Sequence, residues 1–193
     1  MKKKLAVFVS GGGTNFRAIL NAIDAGRINA SVELVISSSP QAGALEIASD
    51  CNIKTVVLDT NPGNLDMVYA TLCDQIVDLD IDFIVLAGYI KILPHSFVSK
   101  FLGRIINIHP ALIPSYSGKG FYGKRVHQAV IDGGEMESGC TVHFVDFGID
   151  TGEIIAQARV PVFQGDTADT LAARVLVEEH KLLPQALAKL CAE

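Results

Sequence analysis

"KLAVFVSGGGTNFRAIL", residues 4–20, decides the architecture of this chain. Its first part, "KLAVFVS", is a short apolar run of the kind that forms a strand buried on both faces. Three glycines come next, then Phe16, Ile19, Leu20 and Ile23 recur at helical spacing until Gly26 stops the helix. Strand, glycine turn and helix together open a parallel βαβ unit. The alternation repeats: strands are predicted at 32–38, 54–59, 82–88 and 104–108, with helices over 42–52, 65–79 and 94–101 between them. "TNPGN" after the third strand reads as a turn. Such alternation implies an α/β protein with a Rossmann-like, mostly parallel sheet flanked by helices.

After about residue 137 the pattern changes. "GCTVHFVD" alternates, with Thr141, His143 and Val145 on one face and Val142 and Phe144 on the other. "EIIAQARVPVF", residues 153–163, is a second extended run. The short "FGIDTG" between them predicts an antiparallel strand pair near the C-terminus. A closing helix is expected over 167–189, capped by Asp166 or Thr167 and bent or restarted at Pro184. With no internal repeat, low-complexity tract or linker, residues 1–193 are expected to form one domain.

The 193 residues are 49% hydrophobic and 19% charged, with a net charge of -5. That balance argues against a broad nucleic-acid interface but leaves room for a small anion in a local pocket. The apolar run after "MKKK" is too short for a signal peptide, and no run is long enough to span a membrane. Cys51, Cys73, Cys140 and Cys191 lie far apart, so reduced thiols in a cytoplasmic protein are expected, with no zinc site or disulfide framework.

In parallel sheets ligands bind beyond the carboxyl ends of the strands. Three such ends carry unusual sequences, "SGGGTN", "AGYIKIL" and "NIHPALIP", which suggests one shared site. "SGGGTN" offers backbone N–H groups and a helix N-terminus to an anion; the plainer reading is a tight turn capped by Thr14 or Asn15. It matches neither GxGxxG nor GxxxxGK[ST], so dinucleotide and NTP binding lose support. Asn107 and His109 share a strand face and can both donate to one oxygen, as in an oxyanion site. Asp150 in "GIDTG" has no local feature that separates it from Asp146; facing His109, it would stabilise the imidazolium. His143 reads first as a hydrogen-bonded core histidine, and His95, His127 and His180 as structural. Glu179 shares an apolar helix face with Leu176 and Leu183, where it pairs with an arginine or binds a ligand amine or hydroxyl. Lys91 faces either the crevice or solvent, and "GKGFYGKR", residues 118–125, is either a solvated loop or a lid.

In this order, "SGGGTN", "AGYIKIL", "NIHPALIP", "VHFVDFGIDTG" and "QARVPVF" resemble the phosphoribosylglycinamide formyltransferases, or glycinamide ribonucleotide transformylases, of the folate-dependent formyltransferase family. The resemblance covers essentially the whole chain and implies the formyltransferase fold. It also implies transfer of the formyl group of 10-formyltetrahydrofolate, as co-substrate, to the amine of glycinamide ribonucleotide in de novo purine biosynthesis. Small-molecule partners, no metal, no nucleic acid, no membrane and a monomer or homodimer are expected with it. Carried over by position, it implies that Asn107, His109 and Asp150 are catalytic. Gly13, Thr14, Asn15 and Glu179 would bind the ribonucleotide, Ile90, Lys91, Ile92, Leu93 and Asn107 the folate, with His143 in support. Lys91 stands where many members have arginine, and no Lys or Arg lies between Lys54 and Lys91 to meet the folate tail. Formyltetrahydrofolate hydrolases and methionyl-tRNA formyltransferases share the catalytic trio and are the alternative enzymes; a phosphosugar-binding module is the alternative without catalysis.

Overall fold

The computed structural model describes residues 2–59 and 63–192. In chain order its elements are β1 (Lys3–Val9), α1 (Thr14–Asp24), β2 (Ala30–Ser37), α2 (Ala44–Asp50), β3 (Lys54–Val57), α3 (Leu65–Asp78), β4 (Phe83–Leu86), α4 (His95–Lys100), β5 (Ile105–His109), α5 (Lys124–Asp132), β6 (Glu137–Phe144), β7 (Ile154–Pro161) and α6 (Ala168–Leu190). Each predicted strand and helix has a counterpart here. Of the expected "TNPGN" turn, Thr60, Asn61 and Pro62 lie outside the described residues.

The strands form a sheet in the order β3-β2-β1-β4-β5-β6-β7. From β3 to β5 neighbours run parallel; β6 is antiparallel to β5, and β7 to β6. The chain winds outward from β1 to β3, then returns to the other side of β1 as β4. The carboxyl ends of β1 and β4 therefore flank the crevice at which a doubly wound sheet accepts ligands.

Strand pleating divides the core in two. Leu5, Val7 and Val9 pack with Phe16 and Ile19 of α1 and with Leu171, Val175 and Leu183 of α6. Ala6 and Phe8 face the other way, toward Tyr69, Leu72 and Ile76 of α3 and Phe97 of α4. β1 is thus apolar throughout because both its faces are covered, and each large side chain so buried contributes about 1.5–3 kcal/mol. Phe8 meets Tyr89 and Phe97 edge-on at centroid distances of 5.2 and 5.7 Å. The Tyr69 and Tyr89 hydroxyls share a hydrogen bond of 2.7 Å, which anchors the segment after β4 from beneath.

Three local details are decided by the structure, the first among the alternatives that the sequence offered. Thr167 is the cap of α6: its hydroxyl accepts from the Thr170 N–H, while the Thr170 hydroxyl accepts from the Thr167 N–H. α6 is one helix through Pro184, which is buried on its core face. The loop expected to reach Arg125 ends at Gly123, because Lys124 and Arg125 already belong to the first turn of α5.

Gly13 joins β1 to α1 at φ 76°, and a Cβ there would lie 2.6 Å from that of Ala44. Gly13→Ala is therefore expected to cost about 1–3 kcal/mol, from left-handed strain plus this contact. Urea unfolding monitored by circular dichroism measures it, and an unchanged midpoint would contradict this account of the turn.

Candidate active site

The three strand ends singled out in the sequence converge on one cavity of about 990 Å³. Gly11–Asn15 border it from β1, Leu86–Leu93 from β4, and Asn107–Pro110 from β5. The β6–β7 connection supplies Val145 to Asp150, and α6 supplies Leu176 and Glu179.

β5 includes both Asn107 and His109, so the two point to the same side, opposite to Ile106 and Ile108. The chain beyond His109 is held by Thr141 of β6, whose hydroxyl donates to the Ala111 carbonyl at 2.7 Å and accepts from the Ile113 N–H at 3.1 Å. This fastens the "HPALIP" turn to the sheet and brings Tyr116 back under His109. The His109 Nε2–H donates to the Tyr116 carbonyl at 2.9 Å, leaving Nδ1 toward Asp150, 3.5 Å from Oδ2. With Nε2 committed to a backbone oxygen, Nδ1 is the ring atom free to gain or give a proton.

Asp150 sits at φ 58°, a left-handed conformation that Asp tolerates better than most residues. Its Oδ2 accepts from the Gly118 N–H at 3.1 Å, and its Oδ1 lies 3.5 Å from Asn107 Nδ2. Gly152 is required nearby, because a Cβ there would collide with the Phe144 carbonyl. Asp146, indistinguishable by sequence, does something else. Its Oδ1 accepts from the Gly148 N–H at 3.0 Å and the Thr151 hydroxyl at 2.6 Å, closing the turn.

His143 lies opposite Asn107 on β6 and is 1% exposed. Its Nδ1–H donates to the Phe144 carbonyl at 2.8 Å, so Nε2 accepts from Asn107 Nδ2 at 3.1 Å. Burial, above all, pushes its pKa below the usual histidine value. The ring is therefore a neutral acceptor that orients the Asn107 amide, and its 3.7 Å approach to Asp150 Oδ1 is not an ion pair. The other Asn107 N–H, at a long 3.5 Å from Asp150, is available to a ligand oxygen.

Across the cavity Glu179 is paired with Asn15, not with an arginine: Asn15 Nδ2 donates to its Oε2 at 2.6 Å. Burial raises the Glu179 pKa, and the Asn15 bond opposes that rise. At the β4 end, Leu93 is buried while Ile90 and Ile92 are exposed apolar residues at the rim with Lys91. The Ile90 N–H donates to Ser10 Oγ at 3.1 Å, which ties this rim to the glycine turn. Exposed apolar side chains beside a deep cavity suit a flat apolar ligand.

Sequence reasoning passed over two cavity residues. His95 stacks on Phe147 at 5.6 Å, and His127 of α5 is buried at the cavity wall with no hydrogen-bond partner for Nδ1. His127 resembled an ordinary helix-face histidine, and only the approach of α5 to β5 sets it apart. Among the described residues, no cluster of three or more His, Cys, Asp or Glu is placed to hold a metal ion, and no helix is long and apolar enough to cross a membrane.

Fold and site together define an α/β protein with an amide, an imidazole and a carboxylate gathered at its switch-point crevice, beside a glycine turn suited to an anion. A family model described as formyl transferase matches residues 3–187, and the chain belongs to that family. It is 43% identical to a chloroplastic phosphoribosylglycinamide formyltransferase of Vigna unguiculata over its full length, but spans 62% of that relative. It is 41% identical to the phosphoribosylglycinamide formyltransferase of Haemophilus influenzae, with 94% of this chain and 84% of the relative covered. The crystal structure of glycinamide ribonucleotide transformylase 1 from Geobacillus kaustophilus superposes with a TM-score of 0.90 at 36% identity, covering 99% of this chain and 100% of that one.

Burial, with a smaller contribution from neighbouring His109, pushes the His127 pKa down to about 4. The unfolded chain therefore takes up this proton first as pH falls, and the fold loses stability between about pH 6.5 and 4. His127→Gln is expected to flatten that part of the profile, as measured by urea unfolding at several pH values. Parallel wild-type and variant curves would refute the burial account.

Proposed function

We propose that this chain transfers the formyl group of 10-formyltetrahydrofolate to the amine of glycinamide ribonucleotide, a step of purine biosynthesis. The observation that carries the reading is the grouping of Asn107, His109 and Asp150 around one point of the cavity wall, 3.5 Å apart in successive pairs. The names of the relatives supply the substrates. In this reading the chain acts as one formyltransferase domain over residues 1–193.

The glycine turn, with Gly13, Thr14 and Asn15, receives the phosphate, and Glu179 contacts the ribonucleotide. The folate ring lies against Ile90, Lys91, Ile92 and Leu93 and reaches Asn107 with its formyl group. A cavity of 990 Å³ has room for both molecules. The substrate amine attacks the formyl carbon, and the carbonyl oxygen becomes an oxyanion. The free N–H of Asn107 donates to it, and His109, protonated on both nitrogens, adds a charged donor with Asp150 as its counterion. The ammonium formed on the attacking nitrogen must lose a proton, and the departing folate nitrogen must gain one. His109 Nδ1–H gives its proton to the departing folate nitrogen as the carbon–nitrogen bond breaks, and Asp150, 3.5 Å from Nδ1, takes the proton of the attacking amine and returns it to Nδ1. Neutral His143 keeps the Asn107 amide in the orientation that donates.

The direct assay incubates the protein with 10-formyltetrahydrofolate, with and without glycinamide ribonucleotide, and follows absorbance. Turnover only with the ribonucleotide is expected; formate release without it indicates a hydrolase, and no turnover indicates a binding module. His109→Ala and Asp150→Asn are each expected to lower kcat about 10²–10⁴-fold while leaving substrate dissociation constants within a few-fold. Equal losses in binding and rate would argue against these roles.

Glu179→Gln separates stability from recognition. Its carboxyl group is held above the ordinary value by burial, so the fold disfavours the charged form as pH rises. The neutral variant should match wild type in melting temperature near pH 4 and exceed it at pH 8, while its KM for the ribonucleotide increases. A lower melting temperature at pH 8 would show that the charge itself supports the fold.

A further inference from the structure

A second cavity of about 500 Å³ opens between α1, α2 and α6. Gly12 and Thr14 of the glycine turn border both it and the main cavity. Its remaining polar wall is Arg17 and Asn21, one turn apart on α1, Arg27 beyond the end of that helix, and His180 of α6. No carboxylate lines it.

The arginines of this chain divide cleanly. Arg104 donates to the carbonyls of Ile81 and Asp82, Arg159 pairs with Glu137, Arg174 with Asp166, and Arg125 lies over the Tyr122 ring. Unlike these four, Arg17 and Arg27 have no ion-pair, hydrogen-bond or ring partner for their guanidinium groups among the described residues, and both open onto this cavity. In a chain of net charge -5, two unpaired guanidinium groups beside one recess are not a consequence of composition. The third polar group is unsatisfied as well: His180 Nε2 is buried without a hydrogen-bond partner. An unsatisfied buried ring nitrogen is a cost that a ligand can remove.

We propose that this recess is a second anion site, built for a phosphate monoester dianion. Guanidinium groups offer paired N–H donors that match a tetrahedral oxyanion, and His180 Nε2–H and the Asn21 amide add neutral donors. The start of α1 contributes positive potential on the Gly12 and Thr14 side of the recess. The lining has no aromatic side chain other than His180 on which a nucleobase would stack, so the recess takes the phosphate and not a base. Its shared wall at Gly12 and Thr14 makes it a capture point for phosphorylated substrate on the way to the main cavity. That capture role rests on the function proposed above; the anion binding does not.

The test is a titration of ¹⁵N-labelled protein with inorganic phosphate, and separately with ribose 5-phosphate, followed by amide and imidazole chemical shifts. Saturable shifts are expected at Ala18, Asn21, Arg27 and His180 in addition to those at Gly11–Gly13. In R17Q/R27Q the first set should weaken about tenfold or more, while the glycine-turn shifts remain. Shifts confined to the glycine turn in the wild-type protein would overturn the site and leave the proposed function untouched. Undiminished α1 and α6 shifts in R17Q/R27Q would overturn it too. The single variant R17Q, with a smaller loss expected, guards against a folding defect in the double variant. Tighter binding of ribose 5-phosphate than of phosphate would identify a phosphosugar as the natural occupant; equal affinity would assign the site to free phosphate.

Discussion

The Asp150 carboxylate is the contact on which the rest of the site depends. One oxygen takes the Gly118 N–H and faces His109; the other faces Asn107 and, behind it, His143. It joins three chain segments: the end of β5, the glycine-rich loop before α5, and the β6–β7 connection. The backbone gives up about 1–2 kcal/mol to hold Asp150 in a left-handed conformation. The hydrogen bond from Gly118 offsets that strain, and the turn built on Asp146 keeps the loop in place.

The sheet makes this arrangement possible by doing two jobs with one alternation. Residues of β5 that face α1 and α6 are isoleucines, and the opposite parity ends in Asn107 and His109. Antiparallel β6 then sets His143 directly across from Asn107. Antiparallel β6 ends beside Ile105 and Ile106, at the amino end of β5. Its connection to β7 folds back from there and brings Asp150 to Asn107 and His109.

Much of this was readable in advance because the signals are local. Buried strands announce themselves as apolar runs, and "NIHPALIP" combines polar side chains with a stiffened turn at a strand end. The features that stayed hidden depend on distant partners. Asp146 and Asp150 occupy one loop with similar neighbours, and only the approach of Gly118 and His109 separates them. Glu179 on an apolar helix face suggested an arginine partner on residue evidence alone; the partner is an amide far back in the chain. His127 read as a structural helix histidine because the wall it joins is made by other elements as well. The helix through Pro184 shows tertiary burial overriding a local breaking signal.

The bond between Asn15 and Glu179 spans a sequence separation of 164 residues. Synthesis delivers Asn15 well before Glu179. Until α6 has left the ribosome, β1 has only α1 over one of its faces, and the glycine turn has no Glu179 opposite it. A nascent chain can therefore form its strands and early helices in order, yet its main cavity lacks one wall until α6 docks. Ligand binding in this architecture reports the docking of α6, since the cavity closes on Asn15 and Glu179, 164 residues apart.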